Sequence, residues 1–201
     1  VGVFDVSHMG EFLISGPQAV PLIQYVFSND IERLDIGQAK YGYMPNTKGG
    51  IVDDLLVYRI DHQRYMFVVN AANIEKDWNW LMTHNKMFGA TLENQSDHWS
   101  LLALQGPKAT SILASLTEAN VTKIPFYSFI YGTVAGIDNV LISATGYTGS
   151  GGYELYIPNE NAEKIWNSLI NSGAEPCGLA ARNTLRIEMG YCLYGNDIDD
   201  S

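Results

Sequence analysis

The chain has 201 residues, 46% of them hydrophobic, which is enough to bury a core of one or two domains and excludes collagenous and disordered proteins. Its formal charge of −10, from 12 Lys and Arg against 22 Asp and Glu, argues against a nucleic-acid partner, because phosphate backbones are bound by basic surfaces. The longest apolar runs are too short to span a bilayer and no secretion signal is visible, so small molecules or other proteins are the expected partners, and no membrane.

A strand-helix unit near the start of the chain is repeated about halfway along it. Residues 11–27 predict a strand, a break at Gly16-Pro17 and a helix with one apolar face, formed by Ala19, Leu22, Ile23 and Val26. Residues 100–116 repeat the pattern around Gly106-Pro107, with Ala109, Ile112, Leu113 and Leu116 at the equivalent positions. The repeat indicates a duplicated plan, with coincidence as the alternative.

A hairpin and a helix are predicted between these two units. Residues 41–60 form two strands joined by a turn at residues 46–50, where a Gly-Gly pair tolerates positive φ. Residues 64–70 add a third strand. The Asn-Ala-Ala-Asn that follows is expected to cap a helix over 74–86, with Ile74, Trp78 and Leu81 on one face.

The second half of the chain adds a glycine-rich hairpin and two helices. Residues 139–157 predict strand, loop and strand. A helix carrying Ile165 and Leu169 is expected to be capped by Asn159 or Asn161 and ended by Gly173, and the last helix covers about 179–189. The fold class is therefore α+β, with antiparallel sheets and flanking amphipathic helices.

Paired carboxylates are the most unusual feature of these elements. Asp53 and Asp54 lie inside an apolar strand, where alternation points them to opposite faces and at least one inward. Asp54 is the more unusual, because Arg59 on the face of Asp53 could neutralise that residue. A carboxylate on an apolar face needs partners, and such groups cluster at functional sites. A strand-end carboxylate bound by turn amides is the alternative.

Other polar residues are each compatible with a structural role. Asn70 and Asn73 are placed as helix caps, and Arg182 as one member of a surface ion pair. The histidines are scattered without metal-ligand spacing, so no metal is expected. Cys177 and Cys192 favour buried, reduced thiols over a disulfide.

Six motifs in order carry more information than any one of them: FDVSHMGEF, GGIVDDLLVYR, VVNAANIEKDW, LALQGPKA, GYTGSGGYELY and PCGLAARNTLRIEMGYCLYGNDID. Together they resemble the glycine cleavage T-protein family over nearly the whole chain. The resemblance implies two intertwined α+β domains, one formed by residues 1–10 and 98–201 and the other by the inserted residues 11–97. It also implies a fragment, truncated at both ends, that lacks the C-terminal barrel domain of the family.

The activity implied by this resemblance is a tetrahydrofolate-dependent aminomethyl transfer. The methylene of the aminomethyl-lipoyl arm of the H-protein passes to tetrahydrofolate with release of ammonia, without metal or flavin. Asp54 is the implied catalytic residue, beside the attacking folate nitrogen. The implied folate-binding residues are Tyr41, Val68, Asn70, Tyr147, Glu154, Arg182 and Tyr191. Bacterial cytoplasm and mitochondrial matrix are the implied compartments.

Two alternatives share the fold. One is the folate-binding domain of a sarcosine- or dimethylglycine-oxidising enzyme, which would carry a flavin-binding region that does not occur in this sequence. The other is a non-enzymatic folate-binding module, whose relatives carry a KGC-x-x-GQE cysteine motif that is also missing. The intact Asp53-Asp54 pair favours the transferase.

Overall fold

The structure of the protein is a computed structural model that describes residues 1–201. It contains two compact units, one formed by Val1–His8 and His98–Tyr191, the other by Met9–Asp97 and Cys192–Ser201. The sequence-based domain boundary had placed residues 192–201 in the first domain. They lie in the second unit because Tyr194 Oη donates a hydrogen bond to the Ile51 carbonyl, 2.9 Å away, and the Lys76 ammonium lies 4.2 Å from the Tyr194 ring.

The strands and helices follow one another in a mixed order. The strands are β1 (Gly2–Asp5), β2 (Gly10–Ser15), β3 (Ala39–Pro45), β4 (Ile51–Asp61), β5 (Arg64–Val69), β6 (Thr91–Asn94), β7 (Trp99–Gln105), β8 (Phe129–Val134), β9 (Ile137–Ser143), β10 (Gly152–Pro158) and β11 (Glu175–Cys177). The α-helices are α1 (Ala19–Val26), α2 (Ile74–Asn85), α3 (Ala109–Ala114), α4 (Ala162–Asn171) and α5 (Leu179–Glu188). None of these helices is both long enough and apolar enough to cross a membrane.

The first unit is built on a six-stranded sheet in the order β11-β1-β7-β10-β9-β8. Its strands pair antiparallel apart from the edge pair β1 and β11, which is parallel. Helices α3 and α4 bury Leu113, Ile165 and Leu169 in the same core as strand residues such as Leu104 and Leu155. Burial of these apolar side chains is the main force that holds helices on a sheet.

The second unit is built on a five-stranded antiparallel sheet in the order β3-β4-β5-β2-β6. Its core holds Leu22 of α1 and Leu81 of α2 together with Phe12, Leu55 and Phe67 of the sheet. The α+β class with antiparallel sheets and amphipathic helices is therefore confirmed.

The predicted repeat of the strand-helix unit has a structural counterpart in each core. The predicted apolar face of α1, residues 19, 22, 23 and 26, is the face that the structure buries. In α3 the equivalent Ala109, Ile112 and Leu113 are buried, but the helix ends at Ala114. Leu116 therefore packs on the core from the segment after the helix and not from its face.

The predicted helix caps and buried thiols are wrong. Asn70, Asn73 and Asn161 stand at helix N-termini, but none makes a side-chain capping hydrogen bond. The Asn159 Oδ1 instead accepts a hydrogen bond from Ser100 Oγ at 2.8 Å. Neither Cys177 nor Cys192 forms a disulfide, as expected, but the first is only half-buried and the second is exposed.

Gln105, at the end of β7, holds the glycine-rich loop between β9 and β10. Its Nε2 donates to the carbonyls of Thr145 and Tyr153, both at 3.2 Å, and its Oε1 accepts from Thr148 Oγ1 at 2.8 Å. A Cβ at Gly146 would lie 2.0 Å from Gln105 Oε1, so any other residue there would displace this amide from its hydrogen bonds. The buried amide thus ties both ends of the loop to the sheet.

Gly152→Ala tests this packing. A Cβ there would lie 2.2 Å from the Leu104 carbonyl oxygen, and φ is +133°. We expect a loss of about 3 kcal/mol of unfolding free energy from overpacking and backbone strain. Gly151→Ala is the control, because its φ is also positive, at +71°, but no atom lies within 4 Å. Equal losses in chemical denaturation of the two variants would contradict the packing constraint.

Glu11 is a buried carboxyl without a partner in the second sheet. It is 1% exposed, and neither of its side-chain oxygens has a hydrogen-bond partner. Burial raises its pKa from 4.5 to about 8. The side chain is therefore largely neutral at pH 7, which avoids the larger free energy of burying an unpaired charge.

The raised pKa of Glu11 predicts a pH dependence of stability. Between about pH 4.5 and pH 8 the folded chain keeps a proton that the unfolded chain has lost, so stability falls as pH rises through this range. We expect Glu11→Gln, which carries no titrating group, to gain about 3 kcal/mol relative to wild type between pH 4.5 and pH 7. Thermal unfolding across this range measures the gain. Glu93→Gln, at an exposed position of β6, is the control, and an equal pH slope in wild type and Glu11→Gln would contradict the burial.

Candidate functional site

A β-bulge lies immediately before the paired carboxylates of β4. Met44 pairs with Asp53, but the next residue, Pro45, pairs with Ile51, so Val52 is the extra residue. Asp53 points toward the helices, on the face of β4 that also carries Leu55 and Val57, and is 0% exposed. The expectation that Asp54 occupies the apolar face is corrected: the core face is the one that alternation gave to Asp53, and the bulge adds Val52 to it.

Asp54 lies half-buried on the opposite face of the sheet, where it binds two of the predicted site residues. Its Oδ2 accepts a hydrogen bond from Tyr41 Oη at 2.8 Å, and its Oδ1 accepts from Asn70 Nδ2 at 2.8 Å. Burial raises the pKa of Asp54, the Tyr41 bond lowers it, the Asp53 charge raises it and the Asn70 bond lowers it, with a net rise. A carboxylate that is partly desolvated and held by two donors can stabilise a positive charge that develops beside it.

Asp53 is held by the two asparagines that the sequence placed as caps. Asn70 N donates to Oδ2 at 2.9 Å, while the side-chain amides of Asn70 and Asn73 donate to Oδ1 at 2.9 and 2.6 Å. Arg59, expected to neutralise Asp53, instead donates to the Leu34 carbonyl at 2.6 Å. Asn70 thus joins the two carboxylates, because the same Nδ2 reaches both.

Val68 lies in a row that crosses the same face of the sheet. Pairing across the strands places Glu11 beside Val68, Val68 beside Leu56 and Leu56 beside Tyr41. Asp54 is two positions from Leu56 along β4 and shares its face. Four predicted site residues, Tyr41, Asp54, Val68 and Asn70, are therefore brought together in the second unit.

The other four predicted site residues lie in the first unit. Glu154 is on β10, between Ala103 of β7 and Ser143 of β9. Its Oε2 accepts a hydrogen bond from Thr145 Oγ1. Burial raises the pKa of Glu154, and the Thr145 bond and the positive charge of Arg182 partly oppose this rise. A carboxylate here is suited to accept N–H donors of a heteroaromatic ring.

Arg182, Tyr147 and Tyr191 form a stack. The Arg182 guanidinium lies 4.4 Å from the centre of the Tyr147 ring, and the Tyr147 and Tyr191 rings are 5.8 Å apart at 25°. Arg186, which is 6% exposed, holds this end of the chain by donating from Nη1 to the Tyr191 carbonyl at 3.1 Å. The stack presents a cation and aromatic faces together, a combination that binds planar or anionic groups.

Several supporting residues were missed by the sequence reasoning. Asn73, Gln105 and Arg186 were not separated from ordinary polar residues because their roles depend on long-range contacts. Asp77 could have been found, because it lies three residues after Ile74 and four before Leu81 and so falls on the apolar face of α2. Tyr127 lies near Glu154 and Tyr191 and has a φ of 61°, which is uncommon for a bulky residue. No local sequence pattern indicates this conformation.

Comparison with known proteins places this arrangement in one family. The GCVT N-terminal domain profile matches residues 1–201. The aminomethyltransferase of Flavobacterium psychrophilum is 57% identical, with 100% of this chain and 57% of that protein covered. The aminomethyltransferase of Phocaeicola vulgatus is 55% identical, with 100% and 56% covered. The chain thus spans a little over half the length of these curated relatives.

Solved structures give the same result for the fold. The glycine cleavage system aminomethyltransferase T of Bartonella henselae superimposes with a TM-score of 0.89 at 36% identity, over 98% of this chain and 53% of that one. A heterotetrameric sarcosine oxidase from Corynebacterium sp. U-96 reaches a TM-score of 0.63 at 15% identity, over 85% and 82%, which shows a shared fold alone. By the full-length profile match and the identity to its relatives, the chain belongs to the GCVT N-terminal domain family, the family of the glycine cleavage T-protein.

Proposed function

We propose that the full-length gene product is an aminomethyltransferase of the glycine cleavage system. It transfers the methylene group of aminomethyl-lipoyl H-protein to tetrahydrofolate and releases ammonia. The names of the relatives support this reaction. The observation that carries it is the Asp54 carboxyl, partly desolvated and bound by Tyr41 and Asn70 on a strand face.

Asp54 acts on the charge that forms during transfer. A folate nitrogen attacks the aminomethyl carbon, and the carbon–sulfur bond breaks with its electron pair left on the lipoyl sulfur. The second folate nitrogen then displaces ammonia, and the two N–H protons leave with the thiol and the ammonia. The attacking nitrogen becomes positive, and an ionised Asp54 beside it stabilises that charge. Fixing this geometry in advance can lower a barrier by several kcal/mol.

The remaining predicted residues have roles in folate recognition. The Glu154 carboxylate accepts N–H donors of the pterin, since an ionised carboxylate accepts two such bonds. Arg182 binds the folate tail or a polarised carbonyl, and the Tyr147 and Tyr191 rings supply flat apolar contacts. Val68 gives an apolar contact on the face that carries Asp54, and tetrahydrofolate is the one-carbon acceptor.

The partner and the compartment follow from the reaction. The lipoyl arm is delivered by the H-protein, so a protein is the donor substrate. The relatives are bacterial, and two cysteines that form no disulfide fit a reducing compartment, which together favour the bacterial cytoplasm.

Asp54→Asn tests the assigned role in the full-length gene product. The amide keeps the shape but not the negative charge, so single-turnover formation of methylenetetrahydrofolate should slow tenfold or more, about 1.4 kcal/mol of barrier, with folate affinity little changed. The wild-type rate should also fall as pH drops through the raised pKa of Asp54, because only the ionised form stabilises the cation.

Asp61→Asn, an exposed carboxylate at the end of the same strand, is the matched control. It should keep both the rate and the pH profile. An Asp54→Asn enzyme with the wild-type rate would make Asp54 a structural carboxylate and would favour the binding-module alternative.

A further inference from the structure

Asp77 is a second carboxyl buried against the pair in β4. It lies on α2, is 0% exposed and follows one helical turn after Asn73, whose side-chain amide donates to the Asp53 carboxyl at 2.6 Å. A hydrogen bond to Asp53 is among the causes that raise the pKa of Asp77. Neither of its oxygens receives a hydrogen bond from an N–H or hydroxyl donor. Two carboxyls in contact and shielded from water cannot both be ionised, because like charges repel strongly in a medium of low polarity. One proton therefore lies between them.

The hydrogen-bond partners decide where this proton resides. Asp53 already accepts three N–H groups from Asn70 and Asn73, a set that stabilises a carboxylate. Asp77 has no such donors, so it holds the proton and donates it to Asp53. Burial first, then the bond to Asp53 and the charge of Asp53, raise the pKa of Asp77 to about 10, with Lys76 lowering it and Asp54 raising it.

We propose that protonated Asp77 is a positioning residue for aminomethyl transfer, which donates to Asp53 and thereby fixes Asn70 and, through Asn70, the Asp54 carboxyl. The inference rests on the function proposed above and assigns the residue that sets its geometry. Asp77 itself faces the core, so it touches no substrate.

Asp77 is coupled to Asp54 through Asp53 and the side-chain amide of Asn70. Asn70 Nδ2 is 2.9 Å from Asp53 Oδ1, 2.8 Å from Asp54 Oδ1 and 3.0 Å from the Asp54 carbonyl. Loss of the proton from Asp77 would put a second negative charge against Asp53 and displace that carboxylate. Asn70 would follow it, because its backbone N–H and side chain both bind Asp53. Asp54 would then lose one of its two side-chain donors.

Three charged groups act on Asp77. Asp53 and Asp54 belong to β4, and Lys76 to its own helix. The Lys76 ammonium donates to Tyr194 Oη at 2.6 Å, and burial raises the pKa of Tyr194. Tyr194 titrates in the alkaline range as well, so an alkaline loss of activity must be assigned by substitution.

The test is the pH profile of kcat/KM for methylene transfer in the full-length gene product, from about pH 7 to about pH 11. The wild type should lose activity as pH rises through about 10. Asp77→Asn still donates an N–H to Asp53 but carries no titrating group. It should keep kcat/KM within about threefold at neutral pH and show no decline until at least one pH unit higher.

Two further variants separate this role from general stability. The kcat/KM of Asp77→Ala should be tenfold or more below that of the wild type at every pH, because Asp53 is left without the donor that Asp77 provides. Lys76→Gln should retain the decline and move it to higher pH, since Lys76 lowers the pKa of Asp77. Infrared spectra read the proton directly: a carboxylic-acid band lost at about pH 10 in the wild type should be missing from Asp77→Asn.

The outcomes separate the inference from the proposed function. A wild type that forms no methylenetetrahydrofolate at neutral pH would contradict the function. An active wild type whose Asp77→Asn variant keeps the same alkaline decline, or is as impaired as a folded Asp77→Ala, would overturn the positioning role. Spectra without a band assigned to Asp77 would overturn it as well.

Discussion

One side-chain amide, that of Asn70, fixes the chemistry of the second unit. It donates from a single nitrogen to both carboxylates of the Asp53-Asp54 pair, which strand alternation sends to opposite faces of the sheet. The buried Asp53 carboxylate therefore holds Asn70 in place, and the half-buried Asp54 carboxylate is the group that Asn70 positions for catalysis. A rigid strand and a satisfied amide hold the reactive group without the entropy of a free side chain, which is what preorganised catalysis requires.

Neutral carboxyls make this buried arrangement possible. Glu11 and Asp77 are each removed from water without forming a salt bridge, and burial is the largest cause that raises their pKa values, to about 8 and about 10. Ionised, each would add a negative charge to a unit that already holds Asp53 and Asp54. As neutral acids they leave the negative charge on the two residues that have N–H donors. In the first unit the glycine-rich loop is held instead by hydrogen bonds to the uncharged side-chain amide of Gln105.

The sequence predicted the fold more completely than the site because the fold depends on periodicity and the site on long-range contacts. Apolar spacing located α1, α2 and the strands of the hairpin, and the six ordered motifs gave the family. The prediction from strand alternation was wrong at Val52, because a bulge there moves this residue and those before it in β4 to the opposite face from the one predicted. Asn70 and Asn73 were placed as caps from their local position, whereas their partners lie 16 to 20 residues away. Tyr41 and Val68 came from the resemblance alone, because no local pattern marks them as ligands.

The most direct measurement is a double-mutant cycle on single-turnover methylene transfer with Asn70→Ala, Asp54→Asn and the double variant. If Asn70 acts by placing Asp54, the double variant should be no slower than Asp54→Asn alone, a coupling of about 1 kcal/mol or more. Rate losses that multiply in the double variant would contradict the coupling and show that the two residues act independently.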